Sequence, residues 1–223
     1  MLSAVKKYRH DADERKRYGA IYDKYKEFTM VTREDSIKFL SLLEPFTKIK
    51  GIVVECGVWR GGMSAAMVDI MGKDRSYFLF DSFEGLPPAK DIDGESAITW
   101  QKDVNSPGYY DNCKAEMTWA EKAMKKAGVA NYNLVKGWFD KTVPGYQFDE
   151  PIAVLRLDGD WYDSTMVCLE NFFPKVATGG LIIIDDYYVW DGCAKATHDY
   201  LSKNKRAERI VQAYSSGCYL IKK

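Results

Sequence analysis

The 223-residue chain carries 32 basic and 32 acidic residues, so its formal net charge at pH 7 is zero. This balance argues against nucleic acid or an anionic membrane as the main partner, and no run of about 18 uncharged apolar residues predicts a membrane span. The length favours one domain, residues 1–223, with a sizeable buried core.

The first 50 residues are predicted to be helical. Residues 5–27 form a highly charged segment, and 33–44 (REDSIKFLSLLE) has apolar residues at helical spacing. We expect residues 1–50 to serve as a lid or an oligomerisation segment ahead of a core at 51–223. The charged helices also suggest that the chain associates with itself.

From residue 51 onward, short apolar runs alternate with helical segments. This alternation is typical of an α/β fold with a doubly wound, mostly parallel sheet that helices cover on both faces. The tail, 208–223, has two β-rich runs around a Ser-Ser-Gly turn and predicts an antiparallel terminal hairpin. The predicted strands are 51–56, 77–81, 132–137, 152–158 and 180–185, and the predicted helices of this part are 62–72, 110–127, 162–173 and 193–203.

A long connection, 82–110, is rich in proline, glycine and acidic residues. Connections of this length are uncommon in compact domains and often act as lids. We expect it to cover a cofactor, with Trp100, Tyr109 or Tyr110 facing the second substrate. Ordinary surface packing is the alternative for each of these three rings.

A glycine-containing turn lies between the first strand and the first core helix, in VVECGVWRGGMSAAM (53–67). Gly57, Gly61 and Gly62 allow a tight turn and close approach of a ligand to the free N–H groups of the helix. The spacing differs from the G-x-G-x-x-G of dinucleotide sites. Asp81, at the end of the second strand, stands where an acid can accept the hydroxyls of a ribose.

A nucleoside ligand without a phosphate suits this turn, and S-adenosylmethionine is the cofactor that fits best. Its carboxylate would lie near the helix start and Arg60, and its ammonium near Glu55. The alternative for Glu55 is a simple ion pair with Arg60.

Two further strands end in paired acids, Asp158 with Asp160 and Asp185 with Asp186. Ligands of such sheets bind beyond the carboxyl ends of the strands, so these four acids are expected on one rim. Adjacent residues point to opposite sides of a strand, so Asp185 and Asp186 converge only if the chain turns there. Carboxylates this close need a cation between them, and oxygen ligands favour Mg²⁺, Ca²⁺ or Mn²⁺.

Some of the acids at these strand ends have a structural alternative. Asp160 or Asp163 could cap the helix predicted at 162–173, and Asp191 the helix predicted at 193–203.

Several segments in order resemble the macrocin O-methyltransferase family, over about residues 50–203. These segments are ECGVWRGGMS, LFDSFEGLP, KGWFDKTVP, LRLDGDWYDST, FFPKVATGGLIIIDDY and VWDGCAKA. The family comprises magnesium-dependent enzymes that use S-adenosylmethionine to methylate sugar hydroxyls of natural products. The resemblance therefore implies a Rossmann-like class I methyltransferase fold, these two cofactors and a small sugar-containing acceptor.

The resemblance also implies roles for individual residues. Asp160 would be the general base, and the metal ligands would be Asp158, Asp185 and Asp186. Asp81 would hold the ribose, and residues 137–139 would flank the adenine. The complete set expected at the cofactor is Glu55, Gly57, Arg60, Gly61, Ser64, Asp81, Ser82, Gly137, Trp138 and Phe139.

Other functions fit fewer of these features. A metal-dependent glycosyltransferase would explain Asp158 and Asp160 but leaves the glycine turn, Asp81 and the Asp-Asp pair without a role. A dehalogenase-type phosphatase would carry its acids on the first strand, and a non-catalytic protein that binds S-adenosylmethionine would need no metal. The five scattered cysteines and the absence of an apolar signal-peptide centre predict free thiols and a cytoplasmic location.

Overall fold

The computed structural model describes the backbone of residues 2–223 and the side chains from residue 12 onward. One seven-stranded sheet organises the described chain, with strand order β3-β2-β1-β4-β5-β7-β6. The strands are β1 Ile52–Cys56, β2 Tyr77–Asp81, β3 Tyr132–Lys136, β4 Ile152–Leu157, β5 Val176–Ile184, β6 Val211–Gln212 and β7 Cys218–Ile221. The helices are α1 Leu2–Tyr25, α2 Arg33–Leu43, α3 Gly62–Met71, α4 Glu95–Lys102, α5 Met117–Ala127, α6 Phe139–Thr142, α7 Tyr162–Phe172 and α8 Asp191–Lys203.

Strands β1 to β5 are parallel, and β7 runs antiparallel to both β5 and β6. The predicted parallel sheet and terminal hairpin are thus confirmed. The strand order reverses between β1 and β4, which pair directly. Such a reversal opens a crevice at the carboxyl ends of the two strands, where ligands of this fold class bind.

Two apolar layers cover the sheet. Helices α1, α2, α3 and α5 pack on one face, and α7 and α8 on the other. The N-terminal segment belongs to the first layer, because Phe39, Leu40 and Leu43 of α2 are completely buried. No helix in the described part of the chain is both long enough and apolar enough to cross a membrane. All five cysteine thiols are unpaired.

The structure corrects the prediction for residues 82–127. The connection 82–110 contains α4, and the helix predicted from residue 110 begins only at Met117. Residues 110–113 have positive φ angles of 51°–58°, so the chain makes a left-handed turn there. Asn112 holds this turn in place, because its side chain donates to Leu86 O and accepts from Gln101.

Arg75 attaches the N-terminal segment to the core. Its side chain donates to the carbonyl oxygens of Thr47 (2.6 Å), Ile49 (2.7 Å), Gly51 (2.8 Å) and Met71 (3.0 Å). One guanidinium thus satisfies four carbonyl groups at the point where the segment enters β1.

We predict that Arg75→Ala destabilises the chain by about 2–3 kcal/mol, or ~4–12 °C in Tm, because several charge-assisted hydrogen bonds are lost at once. Differential scanning calorimetry measures this change. Arg15→Ala is the control, since Arg15 pairs with Glu34 among the residues whose side chains the structure describes, and both of these side chains are more than half exposed. Equal Tm values for the two variants would contradict this role of Arg75.

Candidate functional site

A cavity of about 350 Å³ opens at the carboxyl ends of the parallel strands. Nine of the predicted site residues line it: Gly57, Asp81, Ser82, Trp138, Phe139, Asp158, Asp160, Asp185 and Asp186. The sequence therefore predicted correctly which rim of the sheet carries the cavity.

The β1–β2 end of the cavity is shaped by Gly57 and Asp81. Gly57 has a φ of 91°, and a Cβ there would collide with the carbonyl oxygen of Asp158, so only glycine fits. Asp81 Oδ2 accepts the N–H groups of Val58 (2.7 Å) and Trp59 (2.8 Å), and Oδ1 accepts that of Phe83 (2.6 Å). Asp81 thus fixes the turn after β1, and its Oδ1 keeps one lone pair for a ligand hydroxyl.

Five residues predicted at the cofactor lie behind the cavity wall. Glu55 is buried and accepts from Ser64 and Arg156 rather than from Arg60, so the alternative pairing with Arg60 is wrong. Ser64 is completely buried beside it. Their predicted contact with a cofactor stays a prediction without support from this geometry.

The remaining three of these five residues have packing roles. The guanidinium of Arg60 lies 4.3 Å from the ring centre of Trp59 and 4.8 Å from that of Trp119. A Cβ at Gly61 would press on α5, and one at Gly137 would meet the side chain of α6 at residue 142. Both glycines therefore allow close approach of protein elements.

Three carboxylates converge at the other end of the cavity. One oxygen each from Asp158, Asp160 and Asp186 lies within 4.8 Å of the other two. Asp186 Oδ2 is buried and has no hydrogen-bond partner. A buried carboxylate oxygen without a donor is unfavourable unless a proton or a cation satisfies it, and hard oxygen donors suit Mg²⁺. These side chains therefore fit a divalent cation.

Asp185 turns away from this group, so the expected convergence of all four acids is only partly met. Its Oδ1 lies 2.8 Å from Arg156 Nη2 and accepts a hydrogen bond from Tyr214. These contacts with Arg156 and Tyr214 set the orientation of Asp185, since β5 ends at Ile184 and Asp185 lies in the turn that follows it. The predicted ligand role of Asp185 stays a prediction, for which its Oδ2 remains available.

Arg156 is the residue of this site that the sequence analysis missed. It is 1% exposed, and its Nη1 lies 2.6 Å from Glu55 Oε1 and 2.8 Å from Asp158 Oδ2, in addition to the contact with Asp185. The sequence did offer one indication, namely a basic residue inside the apolar run VLRLD. An arginine on a buried strand needs carboxylate partners, because an unpaired buried charge is strongly destabilising.

The acids of the cavity share one strong electrostatic constraint. Burial and the Asp158 carboxylate raise the pKa of Asp160 to about 8. Burial raises the pKa of Asp158 to about 6 although Arg156 opposes the shift. Burial and Asp160 also raise the pKa of Asp186 well above its ordinary value. Without a cation, the cluster thus retains protons near neutral pH.

Asp160 has a strained backbone and an anchored side chain. Its φ of 57° is rare for a residue other than glycine. Oδ1 accepts the indole N–H of Trp190 at 2.9 Å. No hydrogen bond from Asp160 or Asp163 caps α7; Asp93 Oδ1 accepts Tyr162 N instead, at 2.7 Å.

Asp191, the third acid with a possible capping role, lies inside the first turn of α8, and this helix has no side-chain capping bond. Asp93 itself was missed by the sequence analysis. It lies 69 residues from Tyr162, so no local pattern marks it.

The connection predicted as a lid, 82–110, contributes to the cavity wall through Ser82, Gly85, Leu86 and Pro87. The aromatic residues expected to face the second substrate lie elsewhere. Trp100 packs on Tyr109 and on two other tryptophans, and Tyr110 is 52% exposed.

The N-terminal segment and the terminal hairpin close the cavity beyond the acids. Residues 30–32, Asp35, Ser215 and Ser216 line this end. Asp35 joins the two elements, because Oδ1 accepts Ser215 N at 3.1 Å and Oδ2 accepts Ser215 Oγ at 2.5 Å. These residues add hydroxyl groups and a carboxylate to the β5 side of the site.

A family model described as Macrocin-O-methyltransferase (TylF) matches residues 2–222. The chain belongs to this family. Demethyldecarbamoylnovobiocin O-methyltransferase of Streptomyces niveus is 32% identical over 189 residues, which cover 77% of this chain and 66% of the relative. Mycinamicin III 3''-O-methyltransferase of Micromonospora griseorubida is 30% identical over 177 residues, with coverage of 77% and 68%. The chain spans about two thirds of the length of these curated relatives.

Solved structures agree with the family assignment. The structure of the O-methyltransferase NovP matches with a TM-score of 0.74 at 28% identity, covering 87% of this chain and 82% of NovP. The calicheamicin methyltransferase CalS11 matches in fold, with a TM-score of 0.61 at 19% identity and coverage of 95% and 92%. The fold of this family member is therefore that of the class I S-adenosylmethionine-dependent methyltransferases, as the sequence predicted.

The raised pKa of Asp160 predicts a pH-dependent stability. In metal-free protein, the native state keeps the Asp160 proton up to about pH 8, whereas the unfolded chain releases it near pH 4. The free energy of unfolding therefore falls as pH rises through this range. We predict that Asp160→Asn, which lacks the titration, gains at least ~2–4 °C in Tm relative to the natural chain between pH 5 and pH 8 in EDTA.

The control for this measurement is Asp163→Asn, because Asp163 is exposed and forms a surface ion pair with Lys90. Its Tm relative to the natural chain should change little between pH 5 and pH 8. A Tm difference for Asp160→Asn that stays constant over the same range would contradict the electrostatic account.

Proposed function

We propose that this chain is a magnesium-dependent O-methyltransferase that moves a methyl group from S-adenosylmethionine to a sugar hydroxyl of a natural product. The single observation that carries the proposal is the buried, unpartnered Oδ2 of Asp186 within the carboxylate group. This oxygen could bind a cation beside the cavity of a methyltransferase fold.

The names of the relatives support a sugar acceptor. Two curated relatives are named for novobiocin and mycinamicin methylation. A third, from Streptomyces olivaceus and 31% identical, is named as a 4'-O-methyltransferase of a rhamnosyl-tetracenomycin. The third name specifies a sugar, the rhamnosyl group, and we extend this element to the chain as a hydroxyl on a sugar of a larger molecule.

We assign the two substrates to different parts of the cavity. The end near Gly57 and Asp81 would take the nucleoside of the cofactor, with Trp138 and Phe139 beside the adenine. The methyl group would then point toward the carboxylates and Asp35, where the acceptor would lie. Hydroxyl-rich walls at Ser215 suit a sugar, because its hydroxyl groups need hydrogen-bond partners once they leave water.

The residues of the chain divide the chemical work. When bound, a divalent cation supplies positive charge that lowers the pKa of a nearby hydroxyl, and S-adenosylmethionine supplies the methyl group. Asp158 and Asp186 would hold the cation together with Asp185 through its Oδ2. Asp160 would accept the hydroxyl proton at Oδ2, because its Oδ1 already accepts from Trp190. The cavity walls would align the two substrates, which lowers the entropic part of the barrier.

The N-terminal segment, residues 1–50, would form part of the cover over the acceptor. Met30, Val31 and Thr32 line the cavity on this side, which supports the idea. We also propose that the chain associates with itself and that it is cytoplasmic. The unpaired thiols support the second point.

The proposal predicts metal-dependent methyl transfer. Purified protein with radiolabelled S-adenosylmethionine should methylate at least one member of a panel of deoxysugar glycosides when Mg²⁺ is present. Chelation by EDTA should lower turnover at least ~100-fold, since a metal in this role is worth several kcal/mol. Binding of S-adenosylmethionine, measured by calorimetry, should persist in EDTA. Full turnover in EDTA would overturn the magnesium requirement.

A second prediction tests whether Asp185 or Asp160 is the third ligand beside Asp158 and Asp186. Calorimetric titration with Mn²⁺ should show binding weakened at least ~10-fold in Asp185→Asn and in Asp186→Asn, because each removes a charged ligand. Asp160→Asn should bind Mn²⁺ within about threefold of the natural chain yet lose turnover by roughly 10²–10⁴-fold, the contribution of a placed base.

The exposed Asp163→Asn serves as the control for both measurements. Strong loss of Mn²⁺ binding in Asp160→Asn, with Asp185→Asn unaffected, would make Asp160 the ligand and remove its assignment as the base.

A further inference from the structure

Three tryptophans from separate parts of the chain meet beside the carboxylates. Trp100 comes from α4, Trp161 precedes α7, and Trp190 precedes α8. Their ring centroids are 5.3 Å apart for Trp161 and Trp190, 5.8 Å for Trp100 and Trp190, and 6.2 Å for Trp100 and Trp161. We call these three residues the tryptophan cluster. Contacts at these distances and tilted angles are favourable for aromatic rings.

Each indole N–H of the tryptophan cluster has its own acceptor. Trp161 donates to Pro87 O at 2.9 Å, and Trp100 donates to Gly108 O at 3.0 Å. Both of these bonds hold the connection between β2 and α5. Trp190 alone among the three donates to a carboxylate, Asp160 Oδ1, at 2.9 Å. Its N–H is therefore the one that reaches the proposed chemistry.

The hydrogen bond to Trp190 meets Asp160 at a strained position. The left-handed φ of Asp160 costs free energy in a residue with a side chain, so its neighbours must hold it there. A carboxylate with one oxygen fixed by a donor cannot rotate freely. Its other oxygen, Oδ2, then faces a constant direction relative to Asp158 and Asp186.

We infer that Trp190 is a positioning residue, which orients the Asp160 carboxylate for proton transfer through its indole N–H. The inference rests on the proposed function, in which Asp160 accepts the acceptor proton. The rings of Trp100 and Trp161 hold the Trp190 indole in place. Because Trp100 belongs to α4, the packing of this helix also affects the orientation of Asp160.

Kinetics test this role with two matched substitutions. Trp190→Phe keeps an aromatic ring and removes the N–H, and it should lower kcat about tenfold or more, because a placed base contributes roughly 10²–10⁴-fold. KM for the acceptor and the Kd of S-adenosylmethionine should stay within about twofold. Trp119→Phe deletes an indole N–H outside the tryptophan cluster, in α5, where the Trp119 ring packs on Phe28, and it should leave kcat within about twofold. Equal kcat values for Trp190→Phe and the natural chain would overturn the inference.

Nuclear magnetic resonance tests the contact without any turnover. The chain has six tryptophans, and ¹⁵N labelling gives one indole N–H signal for each. The signal missing from Trp190→Phe identifies Trp190. In metal-free protein, Asp160→Asn should move this signal more than the other five, because the substitution replaces the group that accepts the Trp190 indole N–H. An unmoved Trp190 signal would overturn the inference.

The two measurements separate this inference from the proposed function. If the natural chain methylates no glycoside although the Trp190 signal moves as expected, the proposed acceptor fails while the contact between Trp190 and Asp160 stands. If the chain methylates a glycoside and the Trp190 signal does not respond to Asp160→Asn, the positioning role alone fails.

Discussion

The buried guanidinium of Arg156 is the interaction on which the site depends. It joins Glu55 of β1, Asp158 after β4 and Asp185 after β5 in one set of ion pairs. A buried ion pair is costly to assemble and far costlier to break, because removal of one partner leaves the other charge unpaired. Arg156 therefore fixes three strand ends relative to one another, and with them the floor of the cavity.

One guanidinium does not balance the acids around it. Asp160 and Asp186 lie beyond its direct ion pairs, next to Asp158. Either protons or a cation can neutralise the excess negative charge. The raised pKa values of Asp158 and Asp160 reflect neutralisation by protons. The excess of carboxylates over basic groups connects the fold to the proposed chemistry, because unneutralised carboxylates attract the divalent cation that the enzyme would need.

The sequence predicts what depends on local pattern and fails where distant partners decide. The alternation of short apolar runs with helical segments located the parallel sheet, and the acids at strand ends located the cavity. Arg156 was missed because its partner Glu55 lies 101 residues away. The orientation of Asp185 depends on Tyr214, 29 residues later. The left-handed turn at 110–113 depends on side-chain contacts of Asn112, which residue propensities do not predict. Local signals thus identified the elements, whereas tertiary ion pairs and hydrogen bonds oriented the side chains.

The central claim is that acids from the ends of β4 and β5 bind one divalent cation beside the cavity. Anomalous diffraction from crystals soaked in Mn²⁺ and S-adenosylhomocysteine tests it most directly. The account predicts one strong anomalous peak within about 2.5 Å of carboxylate oxygens of both Asp158 and Asp186, a separation typical of such ligands. A fully occupied cofactor with no anomalous peak between these two residues would contradict it.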